Sequence, residues 1–363
     1  MEITVYGTGT SGTQLVKTTL ESFLKKAEID FSIEEVHDVN EFMKMMIQSI
    51  PAVIIDGKEK YELKQNGKFN ASLRNLVQKL LKRENYGKMP KIIVPTDFSE
   101  TSVNSFNFAT RYAKDISGMV KVVHVYYPSS ADINGNVFVD VGLKKVKEAL
   151  LDEFVEVANQ DWIGELMATA LIDKQFAEGF PVPKILDISK ENQASYIIVG
   201  TTGEGETFKK WFGSVSTELV KKSDIPIIVV PPESRYTGFG KILYASNDPL
   251  LDEHCLEFLC NFSKSHGSIL HVVHVAQPGE ETSDFISHWM DINCPDVEYI
   301  NKVIHHEDVE EGLHDYARGN KIDLVIMSSK KRSFLENIFH SSVSKKMAMH
   351  TDIPIMVLHG HNL

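Results

Sequence analysis

Apolar and polar positions along this chain follow two rhythms, a strand period in short runs and a helical period in the stretches between them. Residues 3–5 and 31–36 read as strands, and Val-Ile-Ile-Asp at 53–56 as a third. Between the first two, Val16, Leu20, Phe23, Leu24 and Ala27 recur at helical spacing and predict an amphipathic helix. Asp38 and Glu41 have capping-box spacing, and the helix they open is expected to carry Phe42, Met46 and Ile47. Asp56-Gly57 predicts a hairpin turn, since such turns need left-handed backbone at both central positions. Leu73, Leu76, Val77, Leu80 and Leu81 predict a further helix, and the polar residues 82–90 a linker.

From residue 91 strands and helices alternate. Lys-Ile-Ile-Val-Pro-Thr-Asp ends in Asp97 as a buried strand, and a helix capped near Ser99 should turn Val103, Phe106, Ala109, Ala113 and Ile116 inward. Residues 119–126, MVKVVHVY, form the next strand. The long section that follows reads as polar and helical, with Val146, Leu150, Phe154 and Val157 on its apolar side. A helix over 182–191, a buried strand over 196–199, a helix over 215–222 and a strand over 227–230 complete the set. Strands joined by helices predict a parallel, doubly wound sheet with ligands at the carboxyl ends of strands, where Asp97, Val125 and Gly200 lie.

The pattern then recurs. Residues 241–248, KILYASND, match 91–98, KIIVPTDF; His274 matches His124; residues 322–327 match the strand at 196; Ser-Val-Ser at 342–344 matches 214–216; and TDIPIMVL at 351–358 matches SDIPIIVV at 223–230. Residues 89–235 and 238–360 are thus two copies of one α/β unit, preceded by a unit over 1–84.

Composition narrows the class. In 363 residues, 42% hydrophobic and 24% charged content suit a globular protein of two or three domains. A net charge of −12 argues against broad nucleic-acid binding. No apolar run approaches the eighteen or so residues of a membrane span, and the opening residues lack the charged and apolar regions of a secretory signal. Three cysteines make no disulfide framework; Cys255 and Cys260 are expected to be core or partly buried thiols on one helix. Together these place the chain in the cytoplasm. His305-His306 and the His359-Gly-His361 tail read as surface residues rather than metal ligands, because no cysteine or carboxylate cluster completes a set of four. The matched His124 and His274 read as structural.

Candidate chemistry centres on IIVGTTGEGETFKKWFGSVS at 197–216. A buried strand stops at glycines and restarts as a helix, which gives an anion close access to unpaired N–H groups and a positive dipole end. It has neither G-x-x-x-x-G-K-[ST] nor G-x-G-x-x-G. Its spacing, Gly200-x2-Gly203-x9-Gly213-Ser214, resembles the ATP-binding pattern of the universal stress protein family. Both copies are similar to that family, which implies adenine-nucleotide alpha hydrolase-like, doubly wound parallel sheets in tandem. The N-terminal order β-α-β-α-β-β-α, with Pro51 before the third strand, resembles a thioredoxin-like domain whose C-x-x-C is replaced by Thr10-Ser-Gly-Thr13. Without a thiol it cannot exchange disulfides, which leaves an assembly module or a docking surface.

The resemblance implies that adenine and ribose lie near Pro95, Thr96, Asp97, Val125, Val199 and Gly200, and phosphates near Gly203, Gly213, Ser214, Val215 and Ser216. Asp97 can alternatively cap the helix beside Ser99, and Lys209 and Lys210 are either a phosphate cover or a solvated face. In the later copy Gly200, Gly203, Gly213 and Asp97 become Ser328, Lys331, Ser341 and Asn247, so ATP, with Mg2+ as a companion, is expected in the earlier copy. The implied role is regulatory, in stress response, with an unidentified protein partner; slow ATP hydrolysis, nucleotidyl transfer and a purely structural role are the alternatives. The resemblance further implies that the last strands of the two copies pair, covering each other's sheet edge as an internal pseudo-dimer, with further association into a homo-oligomer open.

Overall fold

A computed structural model describes residues 1–26, 29–63, 72–73, 76–77, 79–80, 89–127, 130–131, 137–138, 141–160, 171–201, 214–246, 253–276, 285–329 and 353–359. Contacts divide the chain into two compact units. One takes Met1–Pro90 with Ile116–Met119 and Asn159–Leu171; the other takes Lys91–Asp115, Val120–Ala158 and Ile172–Leu363.

The first unit orders its elements as β1 (Glu2–Tyr6), α1 (Ser11–Lys26), β2 (Ser32–Val36), α2 (Val39–Lys44), β3 (Ala52–Ile55) and β4 (Glu59–Glu62). Its sheet runs β2-β1-β3-β4, with β1 parallel to β2 and antiparallel to β3. Val16, Leu20 and Leu24, one helical face of α1, are buried with Ile3, Val5, Val53 and Ile55, and with Leu73, Leu76, Val77 and Leu80. The hairpin turn has Asp56 at φ 49° and Gly57 at φ 64°, closed by the Lys58 N–H donating to the Ile55 carbonyl at 3.0 Å. The Ile50–Pro51 bond is cis, and a Cβ on Gly12, in the tetrad that replaces C-x-x-C, would lie 3.7 Å from Pro51 Cγ.

The helix over 39–44 is shorter than expected. Asp38 caps it by accepting from the Asn40 N–H, but Glu41 bonds to Lys44 at 2.5 Å. Met46 lies beyond the helix at φ 49° and is 76% exposed, so Phe42 alone anchors α2.

The second unit begins with β5 (Lys91–Pro95), α3 (Glu100–Asp115) and β6 (Met119–Tyr126), followed by a small β7–β8 ladder (Ser130–Ala131, Val137–Phe138) and α4 (Val141–Gln160). β9 (Leu171–Glu178), α5 (Pro181–Glu191), β10 (Tyr196–Gly200), α6 (Ser214–Lys222) and β11 (Ile227–Val230) complete the first copy. The second consists of β12 (Lys241–Ser246), α7 (Glu253–His266), β13 (Ile269–Ala276), α8 (Phe285–Asn293), β14 (Tyr299–His305), α9 (Val309–Asn320), β15 (Leu324–Ser329) and β16 (Ile355–His359).

All ten main strands share one sheet, β14-β13-β12-β15-β16-β11-β10-β5-β6-β9. Each half has the same order about its own first strand, so the chain reverses direction across the sheet between β5 and β10, and again between β12 and β15. Registers agree as well: Ile92 pairs with Tyr196 and Ile242 with Leu324, which makes Gly200 and Ser328 equivalent. The halves meet at β11 and β16, antiparallel, through Ile227↔Val357, Ile228↔Met356 and Val229↔Ile355. The expected pairing of the two last strands is therefore present.

Three local readings need correction. The stretch read as polar and helical includes strand β9, in which Ile172 and Ala177 are buried while Asp173 pairs with Lys121 at 3.0 Å and Lys174 with Asp152 at 2.5 Å. Polar edge strands resist unwanted pairing and carry little apolar signal. In α4 the buried stripe is Leu151 and Val155, and Val146 is exposed; Val103 of α3 is also exposed. Finally, Cys260 of α7 is disulfide-bonded to Cys294 with Cα atoms 6.1 Å apart, where unbonded thiols were expected. Their separation of 34 residues leaves no local trace.

Candidate functional site

Ile92, Ile93 and Val94 are fully buried, so β5 is held as a central strand up to Pro95, which is half-buried. The turn into α3 is tied by side chains. Thr96 donates its N–H to the Val123 carbonyl at 2.9 Å, and its hydroxyl accepts from the Phe98 N–H at 3.0 Å and pairs with Ser102 Oγ at 3.0 Å. Asp97 Oδ1 accepts from Ser99 Oγ at 2.6 Å and Ser99 N–H at 3.0 Å. The helix-approach role considered for Asp97 is thus occupied on one carboxylate oxygen. Burial acts to raise the Asp97 carboxyl, but the bonds from Ser99, from its own backbone N–H and from Ser102 together outweigh it and hold the group below its usual range.

Phe98, between these turns, has φ 71°, a left-handed backbone uncommon for an aromatic residue. Its ring lies 4.4 Å from that of His124, 6.0 Å from that of Phe154, and 5.3 Å from Lys147 Nζ. His124 Nδ1 is 2.8 Å from the Thr96 carbonyl and donates to it, since a carbonyl only accepts.

Burial, more than the opposing bond to Thr96, lowers the His124 imidazole. Folding then favours the neutral ring. Its contribution is complete above the unfolded value near 6.5 and is lost as pH falls from there towards the lowered folded value. The urea midpoint should fall between pH 7.5 and 5.5, and His124→Asn, which keeps a donor for Thr96 without titrating, should fall less. An identical fall in the variant would remove His124 from the account.

On β10, Val199 is buried in the core beside Val125, so only its main chain can face a ligand. A Cβ on Gly200 would sit 2.5 Å from the Thr101 carbonyl oxygen in the first turn of α3, and the backbone of Gly200 is not left-handed. The glycine therefore serves close packing, rather than the positive φ that glycine loops suggest. Gly200 O accepts from Ser216 Oγ at 3.1 Å, which ties the strand end to the start of α6. Ser214 is exposed at that start, Val215 and Ser216 are half-buried, and the first turn of α6 carries no acidic residue to oppose an anion. Gly203, Gly213, Lys209 and Lys210 lie outside the described residues.

Thr96, Asp97, Val125, Gly200 and Ser214–Ser216 are thus set at the carboxyl ends of three neighbouring strands, β10, β5 and β6, and at the helix start that follows β10. Thr201 joins them. It is fully buried, its N–H donates to the Val230 carbonyl at 3.1 Å, and its hydroxyl has no hydrogen-bond partner among the described residues. Sequence reasoning passed over it and over Phe98, because neither burial at a strand end nor a left-handed φ is written in residue type. In the later copy, Ser328 Oγ is 2.5 Å from the hydroxyl of the buried Tyr244. Asn247, Lys331 and Ser341 fall outside the described residues. No described helix is long and apolar enough to cross a membrane.

A model of the universal stress protein family matches residues 89–231 and 296–359, more than half of the chain, and a thioredoxin domain model matches residues 1–68. A universal stress protein of Methanocaldococcus jannaschii is 26% identical over 145 residues, 39% of this chain and 81% of its own length. The crystal structure of a universal stress protein from Archaeoglobus fulgidus, 20% identical, superposes with a TM-score of 0.57 over 74% of this chain and 96% of its own. Another universal stress protein from Archaeoglobus fulgidus, solved in complex with dAMP, is 22% identical over 39% of this chain and 96% of its own, with a TM-score of 0.29.

Proposed function

We propose, for a chain that belongs to the universal stress protein family, that the first α/β copy is an ATP-binding regulatory module. The observation that carries this reading is the gathering of Thr96, Asp97, Gly200 and Ser214–Ser216 at the first reversal of strand order, with the buried, unpartnered Thr201 hydroxyl among them. The N–H groups and dipole at the start of α6 would take the phosphates, with Gly203 and Gly213 beside them. Main-chain groups of Val199 and Gly200 would underlie the ribose, and those of Val125 would meet the adenine edge. Asp97, ionised at neutral pH, would face the adenosine or an accompanying Mg2+.

The later copy is read as silent, because a Tyr244–Ser328 hydrogen bond occupies the position where the earlier copy has Gly200. The chain is read as three domains, 1–84, 89–235 and 238–360, with ATP occupancy altering the surface offered to a protein partner. Such a role is read as cytoplasmic.

The test is calorimetric titration of the full chain with ATP, together with mass spectrometry of ligand released from fresh protein. One nucleotide per chain is expected. Gly213→Trp should abolish binding while leaving the thermal midpoint in place. Unchanged affinity in that variant would refute the site, and two nucleotides per chain would refute the silence of the later copy.

A further inference from the structure

Tyr127 and Phe180 are 44% and 65% exposed, with ring centroids 4.8 Å apart at 31°. Tyr112, Phe106 and Phe108 of the same copy are buried. Two adjacent, tilted rings left in water retain apolar surface that another planar group can cover.

Their positions are built by the backbone. Tyr127 directly follows β6, two residues beyond Val125, at the carboxyl end of that strand. Gly179 donates its N–H to the Tyr126 carbonyl at 3.1 Å, fastening the end of β9 to the end of β6 and bringing Phe180 beside Tyr127. Phe180 is also the N-cap of α5 and makes no side-chain cap bond. That position favours Ser, Thr, Asp or Asn, so an aromatic residue stands where helix stability alone would select a short polar one.

Neighbouring strands are about 4.8 Å apart. A nucleotide with its phosphates at the start of α6 and its ribose over the end of β10 would carry its base past β5 towards β6, about two strand spacings away. That is where Tyr127 and Phe180 stand. The residue matched to Tyr127 in the later copy is Gln277, which offers no ring.

We propose that Tyr127 and Phe180 form a stacking platform for the nucleobase, so that the site distinguishes nucleotides from inorganic polyphosphate by the face of the base. The inference rests on the nucleotide-binding reading above and assigns its base recognition to two side chains outside the glycine pattern.

The full chain, Tyr127→Ala, Phe180→Ala and Tyr127→Phe are titrated calorimetrically with ATP and, separately, with inorganic tripolyphosphate. Each alanine variant should bind ATP about tenfold more weakly, the scale of one lost base–aromatic stack. Tripolyphosphate affinity should be unchanged, and Tyr127→Phe should match the unsubstituted chain. Thermal midpoints within a degree or so of one another would show that folding is not what changed. If the alanine variants bind ATP like the unsubstituted chain, the platform is overturned while the nucleotide site stands. Equal losses for ATP and tripolyphosphate would also overturn it, since the rings would then act on the phosphate end. If the unsubstituted chain binds no ATP, the nucleotide reading falls and takes the platform with it.

Discussion

Gly200→Val is expected to destabilise the second unit by about 1–3 kcal/mol and to weaken nucleotide binding in the same variant. The Cβ alone would approach the Thr101 carbonyl oxygen to 2.5 Å and its carbon to 3.0 Å. Both are main-chain atoms, so no rotamer relieves the contact. Neither wall yields readily. On one side β10 is paired to both β5 and β11; on the other, the first turn of α3 is held through Asp97, Ser99 and Ser102. Relief requires α3 to lift from the strand ends, which moves Thr96 and Asp97 out of the site. Urea unfolding should show a lower midpoint at an unchanged slope, and ATP titration a weaker complex. The control is Ser328→Gly in the later copy, which removes the Tyr244 contact without a clash and should have a much smaller effect. Stability equal to that of the unsubstituted chain in Gly200→Val would show that the close approach is not real.

Gly200 also shows what the sequence can and cannot convey. The glycine spacing identifies the strand-to-helix junction and the residues at its rim, because that information is local. The reason for the glycine is not local: it depends on Thr101, ninety-nine positions earlier, coming to rest against β10. The repeat reveals two copies of one α/β pattern, and the family resemblance implies the pairing of their last strands, whereas the order of the strands emerges only in the folded sheet. Strand β9 escapes because its charges pair with Lys121 and Asp152 and interrupt the apolar pattern around the buried Ile172 and Ala177. The Cys260–Cys294 bond escapes for the same reason as Thr101, as two segments meet only after folding. Thr201 reads as an ordinary loop threonine until its burial makes its unpaired hydroxyl conspicuous.

Met356→Asp should have the largest effect on stability, about 3–5 kcal/mol, because it places a charge without a partner in a dry sheet interior. Met356 is fully buried and pairs with the equally buried Ile228 at the centre of the seam. The damage should reach beyond the later copy. Strand β11 is Ile-Ile-Val-Val, buried along its whole length, and β16 covers what would otherwise be its open hydrogen-bonding edge. An uncovered apolar edge of that kind invites pairing with another chain. Light scattering on the variant should therefore show association at concentrations where the unsubstituted chain shows none, alongside a lowered urea midpoint. Lys190→Ala, on an exposed ion pair with Asp224, supplies the comparison, since removing a solvent-screened surface pair changes stability little. If Met356→Asp loses no more stability than Lys190→Ala, the two halves are not held together through β11 and β16, and the earlier copy completes its sheet without the later one.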